Sequence, residues 1–109
     1  MMHQQDEKEL MEKRTKKSII PGDREDMCFL CHQFASSMNP LQVHHCIHGT
    51  GNRRQADRYG LTVHLCMHCH MALHDRGEHD IDLERKAQAA FERGHSREEF
   101  MQIFGKSWL

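Results

Sequence analysis

Residues 61–75 read LTVHLCMHCHMALHD, and two periods meet inside that stretch. Leu61, Val63 and Leu65 alternate with polar neighbours, the period of a strand with one buried face. From Met67 onward the spacing changes. Met67 and Met71 stand four apart, as do His70 and His74, which is helical spacing, and Gly77 follows as a stop. Cys66 and Cys69 lie between the two patterns with two residues separating the thiols, a spacing that lets both sulfurs turn onto one metal ion. The stretch predicts a strand that runs into a helix and carries half of a metal knuckle.

The other half lies upstream in CFLCHQF, where Cys28 and Cys31 repeat the same C-x-x-C spacing. Two such knuckles supply the four thiolates that Zn2+ takes in a closed structural site. Cys46 falls outside the pattern and reads as a small buried residue beside the site. Residues 32–65 separate the knuckles, a longer connection than a simple ribbon needs, so a structural unit is inserted there. Leu41, Val43 and His45 alternate as a first strand, His48 to Gly60 reads as a loop, and the strand at 61–65 returns. Zinc would then clamp the base of a ββ unit. CFLCH and CMHCH also match the attachment motif of c-type haem, and a visible absorption spectrum separates the two alternatives.

The whole chain of 109 residues is long enough for one domain, and with 38% hydrophobic and 6% aromatic residues its core is thin. Residues 1–26 read as a charged arm, mobile or helical, that ends near Pro21-Gly22, and 27–109 as the domain. The N-terminal sequence MMHQQDEKELMEKRTKK has no apolar run resembling a signal peptide, and no stretch is long and apolar enough for a membrane span. The expectation is a cytoplasmic protein whose paired thiols are metal ligands rather than disulfides. A net charge of −1 excludes a uniformly basic nucleic-acid binder. Basic residues cluster locally, as Lys13, Arg14, Lys16 and Lys17 and again as Arg53, Arg54 and Arg58, where they serve either as solvated surface or as phosphate contacts. After Asp80 a helix is expected to run to a left-handed Gly94. A second is marked by the Ser96/Glu99 capping box, the apolar face of Phe100, Ile103 and Phe104, and Gly105 as its end.

Eleven histidines are present, and two arrangements among them stand out. His44 and His45 are adjacent at a strand end, where side chains point to opposite faces unless the backbone bends. His70 and His74 share one helix face about one turn apart and can hold one divalent ion.

VHHCIHG, YGLTVHLC and CMHCHMALH, in that order, resemble the HNH endonuclease superfamily. The resemblance covers residues 27–75 and implies a small α+β fold, a zinc-stapled ββα-metal (His-Me finger) core with C-terminal helices. It further implies that His44, His70 and His74 hold a catalytic divalent ion (Mn2+, Mg2+, Co2+, Ni2+ or Zn2+), with His79 competing for the third place. His45 would be the general base that activates water for hydrolysis of DNA phosphodiester bonds, a task suited to a neutral imidazole. The chain departs from the superfamily at the middle letter, because Leu61 stands where Asn is common. Asn52 or a backbone carbonyl is the expected substitute for orienting the base.

RYGLTVHLC and HSREEFMQIFGKSWL extend the similarity to small phage and prophage nucleases of the recombination-enhancement, RecA-dependent group. That narrower resemblance implies a DNA substrate in recombination or repair, and a recombinase filament as a partner. A non-catalytic zinc-binding module for nucleic acid is the expectation from a different class, and it assigns no use to a His beside a metal ligand.

Overall fold

The computed structural model describes residues 17–109, so Lys13, Arg14 and Lys16 lie outside the described residues. Two strands, β1 (Leu41–His45) and β2 (Thr62–Cys66), pair antiparallel, with Leu41 opposite Cys66, His44 opposite Val63 and His45 opposite Thr62. The alternation in β2 places Val63 and Leu65 in the core with no exposed surface. Leu61 is equally buried but precedes the strand.

The connection between the strands is not the loop expected from its glycines. It contains a helix, α1 (Asn52–Tyr59). Gly51 and Gly60, which read as loop residues, are its two left-handed ends, and Ala56 is its only fully buried side chain. Eight residues with one apolar anchor leave no helical stripe for periodicity to detect. Gly60 is required by close approach as well as by its φ of 72°, since a Cβ there would lie 2.5 Å from the Lys17 carbonyl oxygen.

That approach is part of a second correction, because residues 17–26 do not form the mobile or helical arm expected of them. The Ile19 N–H donates to Gly60 O at 2.9 Å, and Ile20 is buried in the core. The Asp23 carboxylate accepts from the His64 backbone N–H at 2.7 Å and from its ring Nδ1 at 2.8 Å. One buried Ile and one paired Asp tie this segment to β2 although its composition is polar.

β2 runs directly into α2 (Met67–Arg76), whose N-cap is Cys66, its sulfur accepting from the Cys69 N–H at 3.4 Å. Gly77 ends α2 in the left-handed region, as its position predicted. Two further helices, α3 (Asp80–Phe91) and α4 (Arg97–Phe104), complete an α+β fold with one two-stranded sheet among the described residues. The capping box of α4 forms with both of its hydrogen bonds. At the end of α3 the expectation fails: the helix stops at Phe91 and Gly94 is not left-handed. A tight turn satisfies the last carbonyls instead, with Gly94 and His95 N–H groups both donating to Phe91 O, and the His95 ring stacks on Phe91 at 4.4 Å between centroids.

Phe91, Phe100 and Phe104 pack against one another, with Leu83, Ala87 and Leu73 in the same core. Gln88 is fully buried among them. Its amide donates to Ser107 and Glu92 and accepts from the Trp108 N–H at 2.7 Å, which fastens the C-terminal tail to α3. No helix among the described residues is long and apolar enough to cross a membrane.

Candidate metal centres

The four knuckle cysteines converge. Their sulfurs all lie within 4.8 Å of one another, and Cys31 Sγ stands 3.7 Å from Cys66 Sγ. Ligands about 2.3 Å from a tetrahedral ion are separated by about 3.8 Å, which the Cys31–Cys66 spacing matches. The first knuckle is shaped by Cys28 N–H donating to Gln33 O, His32 N–H donating to Cys28 O, and a left-handed His32. It docks on the sheet through the Phe29 N–H, which donates to His64 O at 2.8 Å. The second knuckle is the corner where β2 becomes α2. Four cysteines in this arrangement can hold a metal such as zinc.

Without an ion, the thiols are unequal. Burial pushes Cys31 and Cys69 up, so they keep their protons. Burial opposes ionisation of Cys66 too, but the Cys69 backbone N–H, Asn39 and the neighbouring thiols outweigh it and bring Cys66 down to about 6. Cys46 lies apart from this set, completely buried, and burial raises its thiol so that it stays protonated, the inert role expected of it.

The second centre lies at the far end of β1. A hollow of about 250 Å3 is lined by His44, His45, His48, His70, His74 and Arg53, among others. The nitrogens of His44, His70 and His74 lie within 4.8 Å of one another, and those of His70 and His74 are 2.9 Å apart. His44 is only 2% exposed, and its Nε2 is buried with no hydrogen-bond partner among the described residues. A buried, orphaned ring nitrogen is costly unless something binds it, and a three-imidazole donor set suits a divalent cation. Burial, reinforced by the surrounding imidazoles, pushes His44 down to about 3, so its ring stays neutral and its lone pair free. Burial likewise lowers His70, with help from His74 and His45.

His70 is oriented from behind. Its Nδ1 lies 2.6 Å from Gln42 Oε1, an oxygen that can only accept, so Nδ1 carries the hydrogen and Nε2 keeps the lone pair on the side of His74. His79 does not reach this cluster; it lines a separate hollow with His68 and Cys69, and the histidine that stands with His44 and His70 is His74.

His45, the last residue of β1, lines the same hollow as His44 rather than being separated from it by the strand, and is held by Asp57 of α1, with Nε2 2.9 Å from Oδ1. The carboxylate fixes Nε2 as the protonated nitrogen, which leaves Nδ1 as the basic one. Neither expected substitute fills this role: Asn52 donates to the carbonyls of His48 and Phe104 and fastens α1 to the loop and to α4. Of the three arginines, Arg53 lines the hollow, while Arg58 lies over the ring of Tyr59 and Arg54 is exposed on α1. Sequence reasoning also left out His48 and Asp80, whose side chains meet at 2.6 Å at the edge of the same hollow. His48 lies in the segment between β1 and α1, and no local spacing links it to a carboxylate in α3. Comparison of the chain with family models, with curated proteins and with solved structures gave no match, so the chemistry is argued from the geometry above.

Proposed function

We propose that this chain is a zinc-stapled, metal-dependent endonuclease of the HNH, ββα-metal kind that hydrolyses phosphodiester bonds in DNA. The observation that carries the proposal is the placement of His45. An imidazole whose Nε2 is tied to the Asp57 carboxylate stands next in sequence to the buried member of a three-imidazole cluster, in one hollow with an arginine. A purely structural metal site has no use for a histidine oriented in that way.

In this reaction His45 Nδ1 takes a proton from water as the water oxygen attacks phosphorus, and Asp57 stabilises the imidazolium that results. The new P–O bond forms as the bond from phosphorus to the departing 3′-oxygen breaks, and that oxygen takes a proton from solvent. His44, His70 and His74 would hold the divalent ion, which supplies positive charge against the phosphorane and the departing oxygen. Arg53 contacts the phosphate and orients the strand. The four-cysteine zinc serves folding. The resemblance to recombination-dependent phage nucleases supports DNA undergoing recombination or repair as the substrate, with a recombinase filament as partner.

The test is cleavage of single-stranded, duplex and displaced-strand DNA with added Mn2+, with and without a recombinase filament. His45→Ala is expected to lower the cutting rate by roughly 100-fold or more while DNA binding persists. Equal cutting by wild type and His45→Ala would remove the mechanism.

A further inference from the structure

We propose that the exposed face of α1, together with Lys17, is the surface on which this protein holds the DNA backbone, with Arg54, Arg58 and Lys17 contacting the phosphates that flank the one in the hollow. The proposal rests on the reading of the hollow as a nuclease site and extends it to how the substrate is recognised, by its phosphates and without regard to base sequence. On α1, Arg53 and Asp57 stand four apart, as do Arg54 and Arg58, so these residues share one face. Asn52, Gln55, Ala56 and Tyr59 form the opposite, half-buried or buried face. Arg53, Arg54 and Arg58 are exposed; Arg53 lines the hollow, and Asp57, in the middle of the face, holds His45.

Three observations distinguish this face from solvated surface. The sole carboxylate of α1 is committed to His45, so the three arginines enter no ion pair among the described residues. The charges also stand where they weaken the helix. Arg53 and Arg54 occupy its first turn, at the positive end of the helix dipole with no acidic residue beside them, and Arg54 repels Arg58 one turn on. Such charges do nothing for the folding of an eight-residue helix with one buried side chain, and bound phosphates relieve both repulsions. Finally, the fold brings a second basic cluster to the same place. Lys17, the last of Lys13, Arg14, Lys16 and Lys17, is exposed, and its carbonyl oxygen lies against Gly60, the residue that closes α1. Positive charge is thereby concentrated beside the hollow in a chain whose net charge is −1.

The residue types favour phosphate over bases. A guanidinium offers a planar fork of donors that matches two phosphate oxygens. Asn52 and Gln55 stand on the docked face, so the exposed face has no amide with which to read a base edge. A helix of this length spans about 12 Å, enough to follow about three consecutive phosphates of one strand.

The experiment follows the fluorescence anisotropy of labelled duplexes of unrelated sequence across a range of salt concentrations. It uses the full-length, zinc-loaded protein carrying His45→Ala, so that the DNA stays intact. Adding Arg54→Gln and Arg58→Gln together is expected to weaken binding by about tenfold or more on every sequence alike, and to reduce the slope of log affinity against log salt by about 2. Lys17→Gln is expected to reduce it by about 1. Arg93→Gln, an exposed position beyond the end of α3, should leave it unchanged. The DNA-free double variant should melt no lower than its parent, because a repulsion has been removed, and this separates lost binding from lost folding. An unchanged salt slope overturns the proposal, as does an equal fall from Arg93→Gln. A loss confined to one sequence also overturns it, since the arginines would then be reading bases. Binding with the expected slopes by a wild-type protein that cuts no DNA with any added metal upholds the phosphate surface and removes the endonuclease reading.

Discussion

Removing the metal from the four-cysteine site should unfold this protein, not merely loosen it. Apart from the sulfurs, the first knuckle is fastened to the rest by the Phe29–His64 hydrogen bond and by the packing of Phe29 and Leu30 against the core, while the bridges from Met27 to Arg24 and Phe34 are local to the knuckle. Each such hydrogen bond contributes about 1 kcal/mol net. A structural zinc contributes about 10–16 kcal/mol at neutral pH, against a total stability of about 5–15 kcal/mol for a domain. The metal term therefore equals or exceeds everything else, and it sits where β2 turns into α2, so its loss frees both the knuckle and the helix that carries His70 and His74. The assay is a thermal melt by circular dichroism and by fluorescence of Trp108, which packs edge-on against Phe100 at 6.0 Å, with zinc content measured on the same samples. Chelated protein, or a variant with Cys28, Cys31, Cys66 and Cys69 all changed to Ser, is expected to lose its cooperative melt. Cys46→Ser should keep its zinc. A zinc-free sample that still melts cooperatively within a few degrees of the loaded protein would refute the reasoning.

Zinc loading should release protons, because Cys31 and Cys69 hold theirs in the empty site. Affinity is expected to fall as pH falls, and more steeply below about 6, where Cys66 also becomes protonated; a competition titration across pH 5–8 with unchanged affinity would contradict this. On the proposed mechanism, Asp57→Asn should slow DNA cutting by about 10- to 100-fold and alter the pH profile, since the amide can present the wrong partner to His45 Nε2, and Asp57→Glu should restore part of the rate. Gln42→Ala should weaken binding of a divalent cation at the His44, His70 and His74 cluster by about 10- to 100-fold by releasing the His70 ring, a loss that calorimetry reads directly. Glu84→Gln should raise the melting temperature at pH 7 without added divalent cation. Burial, then the charge of Asp80, raises the Glu84 carboxyl in the folded state, so ionisation above its folded pKa costs stability. The gain should disappear below the ordinary carboxylate range, where Glu84 is protonated both folded and unfolded, and an equal gain at both ends of the pH range would show a different cause.

Several features of this protein were decided by the sequence alone, and they share a short range. The paired C-x-x-C spacings, the strand alternation at Leu61, Val63 and Leu65, the i, i+4 pair of His70 and His74, and the Ser96/Glu99 cap each follow from backbone geometry across a few residues. Tertiary structure alone decided the partners. Asp57 reaches His45 across 12 positions, Gln42 reaches His70 across 28, and Asp80 reaches His48 across 32. No period spans such distances, because these contacts depend on how the hairpin closes and where α1 and α3 dock against it. The same holds for α1, whose only fully buried side chain is Ala56, and for Ile20 and Asp23, which leave a charged segment to join the core. His74 rather than His79 joins His44 because α2 ends at Gly77 and the chain turns away, and that choice is written in three dimensions rather than in spacing.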